Sequence, residues 1–512
     1  MMRARMLSVI LFGRNDDHGY NYHKRVTISL NCLAELLSDP YDEIIFVDYN
    51  SSDEMPSIIE AIQDTLTDKA KKLIKVFRVR SYQHARFNTH LPILEPVARN
   101  VGIRRSNPKN KWILSTNIDM IFVPQNKKSI TEIVACLEDG YFSLPRFELP
   151  ENLWELSLNR LDPLGNILFL KEMGPKLHLD TVVRKEGFIQ FDNLGDFQLM
   201  LRKDVFEIRG FDEKMLKGWH TDSNLAKRLF LMNKTSGSLE KELKGYHCNH
   251  TYKESMLHSK NRTENDWNQF VGDSMMTPVA NGVEWGLADE QIEEILLGSK
   301  THLKNVVNIL EKFPMRKYEI LNNVRLYSKT SYSIPRIFTY LVDHLSNSSK
   351  SRNISYFGHN LELAEMIELY LKENQFSEKL NINKMGSYDS LVIFDFGFDE
   401  GSGVQSPKIL LKKLMKQFLE TVRIVKPNSK IIGINVNYTD YNVIFQKHLD
   451  MRVTSYITGS SYGYTPAKQK KRKFFLTPAL AKKKLIFNLR YLLVRYFNKY
   501  SDRARSFARR VL

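Results

Sequence analysis

The sequence predicts an α/β fold, with a doubly wound N-terminal domain and a second, smaller α/β domain behind it. Three observations predict this. The apolar runs Met6–Phe12 and Ile44–Val47 are short and unbroken, the mark of central parallel strands buried on both faces. Between them, Val26, Leu30, Leu33 and Leu37 recur at helical spacing. The same alternation returns from about residue 353, and 512 residues are too many for one core.

Taken in order, Met6–Phe12 is the first strand and Gly13–Asp17 its turn. A helix follows over about Lys24–Leu37 and stops at Ser38-Asp39-Pro40. Glu43–Asp48 is the second strand, Pro56 opens a helix to about Ala70, and Leu73–Val79 is the third strand. Ligands of such sheets bind beyond the carboxyl ends of the strands, which here carry Arg14, Asn15, Asp48, Ser51 and Asp53. Neither strand is followed by G-x-G-x-x-G and no phosphate-loop motif occurs, which argues against a dinucleotide or P-loop fold. Asp48 can instead accept from a uracil or ribose hydroxyl, and the Asp48–Asp53 segment also suits the N-cap of the next helix.

A helix over Pro92–Arg105 leads into Lys111–Pro124, the stretch on which the functional reading turns. Here an apolar strand runs into a polar turn, and a second apolar run, Met120–Val123, follows. Asn117 and Asp119 sit two apart and, in extended chain, face one ligand together. A carboxylate at the end of a buried strand needs a partner, and a divalent cation carrying a diphosphate is one. An Asx turn, with Asp119 bonding its own backbone, is the other reading.

Four segments then occur in order: Ser8–Asn15, Val47–Asp53, Ala98–Ile103 and Asn117–Asp119. Together they resemble the nucleotide-sugar-binding half of GT-A fold glycosyltransferases, most closely the large inverting family that builds surface polysaccharides. The segment Gly195–Glu213 looks like that fold's strand and turn before the acceptor site, and Gly218–Leu229 like its acidic helix start. The resemblance implies a donor site drawn from Arg14, Asp48, Ser51, Arg99, Asn100 and Asn117. It implies Asp222 as the base that deprotonates the acceptor hydroxyl, although a carboxylate at a helix start also serves as a cap. It implies Trp219 as an acceptor-stacking residue, and Asp119 with His247 as ligands of Mn²⁺ or Mg²⁺, His250 being second choice to His247. The departures are Asn117, where the family has an acid, the lack of acids flanking Asp222, and His220-Thr221 in place of a glycine pair. With one carboxylate fewer, metal affinity is reduced or the metal is dispensable.

Residues 144–187 hold several prolines and charges and read as an acceptor-facing insert, largely loop. Helical patterns recur at Ala288–Leu297 and Leu303–Lys312. The second α/β domain combines Ile354–Gly358, Leu391–Phe396, a helix over Lys408–Val425 and Lys426–Val436. It is similar to part of a Rossmann-like methyltransferase but lacks the glycine-rich cofactor loop, which points to a structural or partner-binding role. The resulting division is 1–270 GT-A domain, 271–350 helical linker, 351–466 Rossmann-like domain and 467–512 tail.

Charge is concentrated in that tail. The net charge is +17, and Lys468–Leu512 holds fifteen Lys and Arg against the single acid Asp502. Leu485, Leu489, Leu492, Leu493 and Tyr496 fall on one helical face there. A basic amphipathic helix of this kind lies on an anionic membrane surface, with nucleic-acid binding the competing reading. Three scattered cysteines, Cys32, Cys136 and Cys248, fit a reducing compartment. The N-terminal apolar run is short and meets Arg14–Asp17 without a cleavage site, so the expectation is a cytoplasmic protein, peripheral at the inner face of the membrane. The expected activity is transfer from a UDP-sugar to a glycan or lipid-linked glycan, a non-catalytic GT-A-like scaffold being the rival.

Overall fold

A mixed sheet of eight strands organises the N-terminal half. It is built from β1 (Leu7–Gly13), β2 (Glu43–Tyr49), β3 (Ile74–Val79), β4 (Trp112–Thr116), β6 (Tyr141–Ser143), β9 (Phe197–Leu201), β10 (Ser236–Ser238) and β12 (Glu293–Ile295). Their order is β10-β6-β9-β4-β1-β2-β3-β12. A second sheet, β5-β11-β7-β8, contains β5 (Met120–Pro124), β7 (Arg146–Leu149), β8 (Val183–Arg184) and β11 (Leu243–Cys248). This computed structural model describes residues 7–15, 22–51, 53, 56–89, 91–179, 183–184, 195–216, 220–233, 236–250, 279–297, 353–358, 361–374, 380–384, 389–395, 407–424, 430–434 and 455–457. The chain divides into two units, Met1–Gly463 and Tyr464–Leu512, and the second, with the tail helix expected from the sequence, lies outside the described residues.

The fold class is the α/β, doubly wound one the sequence predicts. β1 pairs in parallel with β2 on one side and β4 on the other, and β2 with β3. β1, β2 and β4 are buried along nearly their whole length, as their apolar runs require, whereas β3 exposes Lys75. Successive strands run outward from β1 to β3, whereas β4 lies on the opposite side of β1. The chain therefore reverses direction between β1 and β4, the kind of switch point that opens a crevice at the carboxyl ends of a sheet. The helix Tyr22–Glu35 packs with Leu7, Val9 and Leu11 on one face, and Glu95–Arg105 with Ile10, Ile45 and Val47 on the other. Gly102 lets the second helix approach closely, since a Cβ there would lie 2.6 Å from Ile10 Cγ2 and 3.2 Å from Val47 Cγ2.

Three expectations are corrected. The helix expected from Pro56 to Ala70 is broken into Ile58–Ile62, a 3₁₀ turn Gln63–Thr65 and Asp68–Leu73. Leu66 turns extended, and Thr67 caps a new helix by accepting from the Ala70 amide. Ala288–Leu297 is not a helix. Glu293–Ile295 instead forms β12, antiparallel to β3, because the open edge of β3 offers backbone partners and Glu293 meets Arg80 at 2.6 Å. Residues 144–187 are not largely loop, since they contain β7 and the helices Glu151–Ser157 and Pro163–Lys176. The last of these starts on an Asp162 cap with Pro163 in the first turn, where a missing amide proton costs nothing. Leu303–Lys312 lies outside the described residues.

Further along, β13 (Asn353–Phe357), β14 (Leu380–Ile382), β15 (Asp389–Asp395), β16 (Lys430–Ile434) and β17 (Ser455–Ile457) form an all-parallel sheet ordered β14-β13-β15-β16-β17. With the helices Leu361–Glu373 and Pro407–Ile424 it is a second α/β element, smaller than the first. No described helix is long and apolar enough to cross a membrane.

Candidate active site at the sheet switch point

Register decides what meets at the switch point. Three residues, Asn117–Asp119, join β4 of the main sheet to β5 of the second. β11 pairs antiparallel with β5, setting His247 opposite Met120, and parallel with β7, setting His247 opposite Glu148. The Cys248 amide donates to the Asp119 carbonyl, closing the ladder beside the turn. Asp119, His247 and His250 thus converge, their candidate ligand atoms all within 4.8 Å of one another.

The Asp119 carboxylate is buried and surrounded by positive or protonatable groups. His247 Nε2 lies 3.4 Å and His250 Nε2 3.5 Å from its Oδ2, and Arg25, from the helix Tyr22–Glu35, donates to the same oxygen. Burial works against the charge on Asp119, but His247, Arg25 and His250 outweigh it and hold its pKa well below the carboxylate range. His247 is likewise opposed by burial, yet Asp119 and Glu148 raise its pKa to about 10. Its Nδ1 lies 2.9 Å from Glu148 Oε2, which directs Nε2 at Asp119. One carboxylate and two imidazoles at this spacing fit a divalent ion in donor type, and a carboxylate behind a ligating histidine is a usual support. Arg25 already neutralises part of the carboxylate, so the site binds a metal less tightly than three free donors would.

A second set of charges adjoins the first. Asp222 is the second residue of the helix Thr221–Asn233. Its Oδ1 is buried with no hydrogen-bond partner, and the Gly195 amide donates to the carboxylate. A Cβ on Gly195 would lie 2.5 Å from Asp222 Oδ2, so any side chain there would push the carboxylate aside. Burial, then the charges of Glu95 and Asp196, push the Asp222 pKa up to about 8 against the pull of Arg99. Gln198 holds the start of the helix by donating to the Asp222 carbonyl at 3.0 Å.

The sequence-predicted donor residues divide into two groups. Arg14, Asp48 and Ser51 lie at the ends of β1 and β2: Arg14 Nε donates to Asn50 O at 2.8 Å, and Ser51 Oγ to Asp48 Oδ1 at 2.6 Å. Asp48 is fully buried and faces Arg78 Nε at 3.2 Å, an ion contact whose angle makes no hydrogen bond. Burial raises its pKa to about 6 in spite of Arg78. Arg99, Asn100 and Asn117 form the other group. Arg99 is fully buried between the rings of Phe12 and Phe211 and donates to Glu95, Ser115 and, at 2.9 Å, Asn117 Oδ1. Asn100 exchanges hydrogen bonds with the Phe211 backbone and donates to Glu213, tying its helix to the loop before Asp222. Asn117 Nδ2 donates to Asp196 Oδ1 at 2.8 Å, so this residue has spent both ends of its amide within the protein. Trp219 lies outside the described residues.

Sequence reasoning assigned no role to Arg25, Glu95, Arg146, Glu148 or Asp196. Glu95 was legible, because a glutamate four residues before Arg99 on a helix is the favoured ion-pair spacing. The others meet the site through strand register and helix docking, for which a single sequence carries no local signal.

No family model matches the chain, and no curated protein matches it either. Among solved structures it is similar to S. aureus TarS 1–349 in complex with UDP, at 14% identity and TM-score 0.30 over 48% of this chain and 60% of that one. It is similar to GalNAc-T7 with UDP, GalNAc and Mn²⁺, at 11% identity and TM-score 0.30 over 48% of this chain and 43% of that one. A third is the galactosyltransferase LgtC with donor and acceptor sugar analogues, at 11% and 0.27 over 54% of this chain and 98% of that one. The chain thus spans less than two thirds of the TarS and GalNAc-T7 chains it aligns with.

Proposed function

We propose that this chain is a glycosyltransferase that moves a sugar from a nucleotide-diphosphate donor, a UDP-sugar, to a hydroxyl of a glycan or lipid-linked glycan acceptor, with inversion, in surface polysaccharide biosynthesis. One observation carries the reading. At one switch point, an Asp119/His247/His250 cluster able to hold a divalent ion adjoins a buried carboxylate, Asp222, whose pKa is raised towards neutrality. Diphosphate departure needs the first and deprotonation of an acceptor hydroxyl needs the second.

In this reading the nucleotide lies across the ends of β1 and β2, against Arg14, Asp48 and Ser51. Asn117 stands at the diphosphate, with Arg99 and Asn100 shaping the site from behind. A bound divalent ion would neutralise the leaving diphosphate, and two imidazoles among its ligands favour Mn²⁺ over Mg²⁺, which prefers oxygen. Asp222 takes the proton of the acceptor hydroxyl as that oxygen attacks the anomeric carbon from the face opposite the leaving group. Trp219 stacks on the acceptor sugar. Residues 1–270 carry transfer, 271–350 complete their sheet with β12 and then link, 351–466 form a structural or partner-binding domain, and 467–512 hold the chain to an anionic membrane at its cytoplasmic face.

The test is calorimetric titration of UDP with and without Mn²⁺, on wild type and Asp119→Ala. The expected outcome is metal-dependent binding that the variant loses. Binding indifferent to both metal and variant would mean a metal-independent donor site. No nucleotide binding at all would favour the scaffold reading.

A further inference from the structure

From the metal-ready cluster a chain of alternating charges runs through Glu148 and Arg146 to Asp196, which lies beside Asp222, and Arg146 has no role in the reading above. Glu148 Oε2 holds His247 Nδ1 at 2.9 Å, and its Oε1 meets Arg146 Nη2 at 3.0 Å. Arg146 Nη1 reaches Asp196 Oδ1 at 3.2 Å and Oδ2 at 3.3 Å. Asp196 in turn accepts from Asn117 and lies beside Asp222. Arg146 and Glu148 sit two apart on β7 and so share one face of that strand, the face that the β11 register turns towards His247.

We propose that Arg146 and Glu148 are positioning residues that join the two halves of the site, Glu148 by fixing the ring of His247 for metal ligation and Arg146 by fixing Glu148 against Asp196. This rests on the metal reading given above.

The physical argument is geometric. An imidazole can turn about its Cβ–Cγ bond, and a ligand free to turn loses affinity through entropy and misalignment. A hydrogen bond from Nδ1–H to a carboxylate fixes both the tautomer and the plane of the ring, leaving the Nε2 lone pair for the ion. Glu148 can do this only if its own carboxylate is held, and a guanidinium is suited to it. Its planar fork reaches Glu148 with one nitrogen and Asp196 with another, whereas an ammonium offers a single point of charge.

The experiment is titration of the full-length chain with Mn²⁺ alone, followed by electron paramagnetic resonance, on wild type, Glu148→Gln, Arg146→Gln and Arg146→Lys. Removing such a support typically costs about 10–100-fold in metal affinity. Glu148→Gln is expected to lose that much and to lose the ¹⁴N coupling of one imidazole to the ion, a signature that weakened folding alone does not produce. Arg146→Gln should lose affinity in the same direction and Arg146→Lys recover part of it. Wild-type affinity and unchanged nitrogen coupling in Glu148→Gln would overturn the proposal while leaving the metal reading intact. A wild type that binds no Mn²⁺ would overturn both.

Discussion

A carboxylate is placed where it is hard to ionise, and that shapes what Asp222 can do. With a pKa raised to about 8 it is mostly protonated at neutral pH, and only the ionised form accepts a proton. Transfer should therefore rise about tenfold per pH unit below that value and level off above it, in a pH–rate profile of the wild type. Asp222→Asn should lower the rate by about 10²–10⁴-fold. The same burial makes a prediction for stability. Because the folded pKa lies above the unfolded value of 3.8, folding favours the protonated form, and stability declines as pH rises from about 4 through about 8. Asparagine never ionises, so the variant's melting temperature should exceed that of wild type by more at pH 8 than at pH 5. A variant both inactive and less stable at pH 8 would contradict the assignment. The sequence supplied Asp222 and its helix start; that the Gly195 amide, 27 positions earlier in the chain, donates to its carboxylate was not legible.

At the scale of elements, two contacts position the site. The first is the β5-β11-β7 register, which gathers Asp119, His247 and Glu148. The second is the close approach of the helix Glu95–Arg105 to the sheet, which holds Arg99 under Asn117. Gly102 permits that approach, and Gly102→Ala sets two effects against each other. Alanine gains roughly 1 kcal/mol of helix propensity, but its methyl would lie 2.6 Å from Ile10 Cγ2, a branched side chain fixed in the core. Overpacking of this kind costs about 1–3 kcal/mol, so the net effect should be a lower denaturation midpoint in urea at unchanged slope. The helix Tyr22–Glu35 was readable from apolar spacing to within two residues of its bounds, and the helix expected over Pro92–Arg105 spans Glu95–Arg105. The segment 288–297 was not, because its local pattern lost to an edge of β3 about 220 positions away in the chain.

For the whole molecule, the division at Gly463 separates the basic tail from everything that builds the site. If the tail serves membrane attachment, deleting 464–512 should abolish sedimentation with anionic liposomes and leave UDP binding and the melting temperature as in wild type. Loss of RNA or DNA binding with liposome binding retained would favour the nucleic-acid reading instead. What the sequence determined by itself is β1 to β5 and the helices Tyr22–Glu35 and Glu95–Arg105 of the doubly wound half, the strand-end polar residues, and the polar turn Asn117–Asp119 between β4 and β5. Those follow from burial periodicity and from the cost of leaving polar groups in an apolar strand, both local properties. Only the tertiary structure decided that His250 joins His247 at Asp119, that Arg25 shares that carboxylate, and that Arg146 and Glu148 bridge to Asp196. Each of these depends on strand register or helix docking, where residues about a hundred positions apart meet because the whole sheet fixes them, and no stretch of chain encodes such a meeting alone.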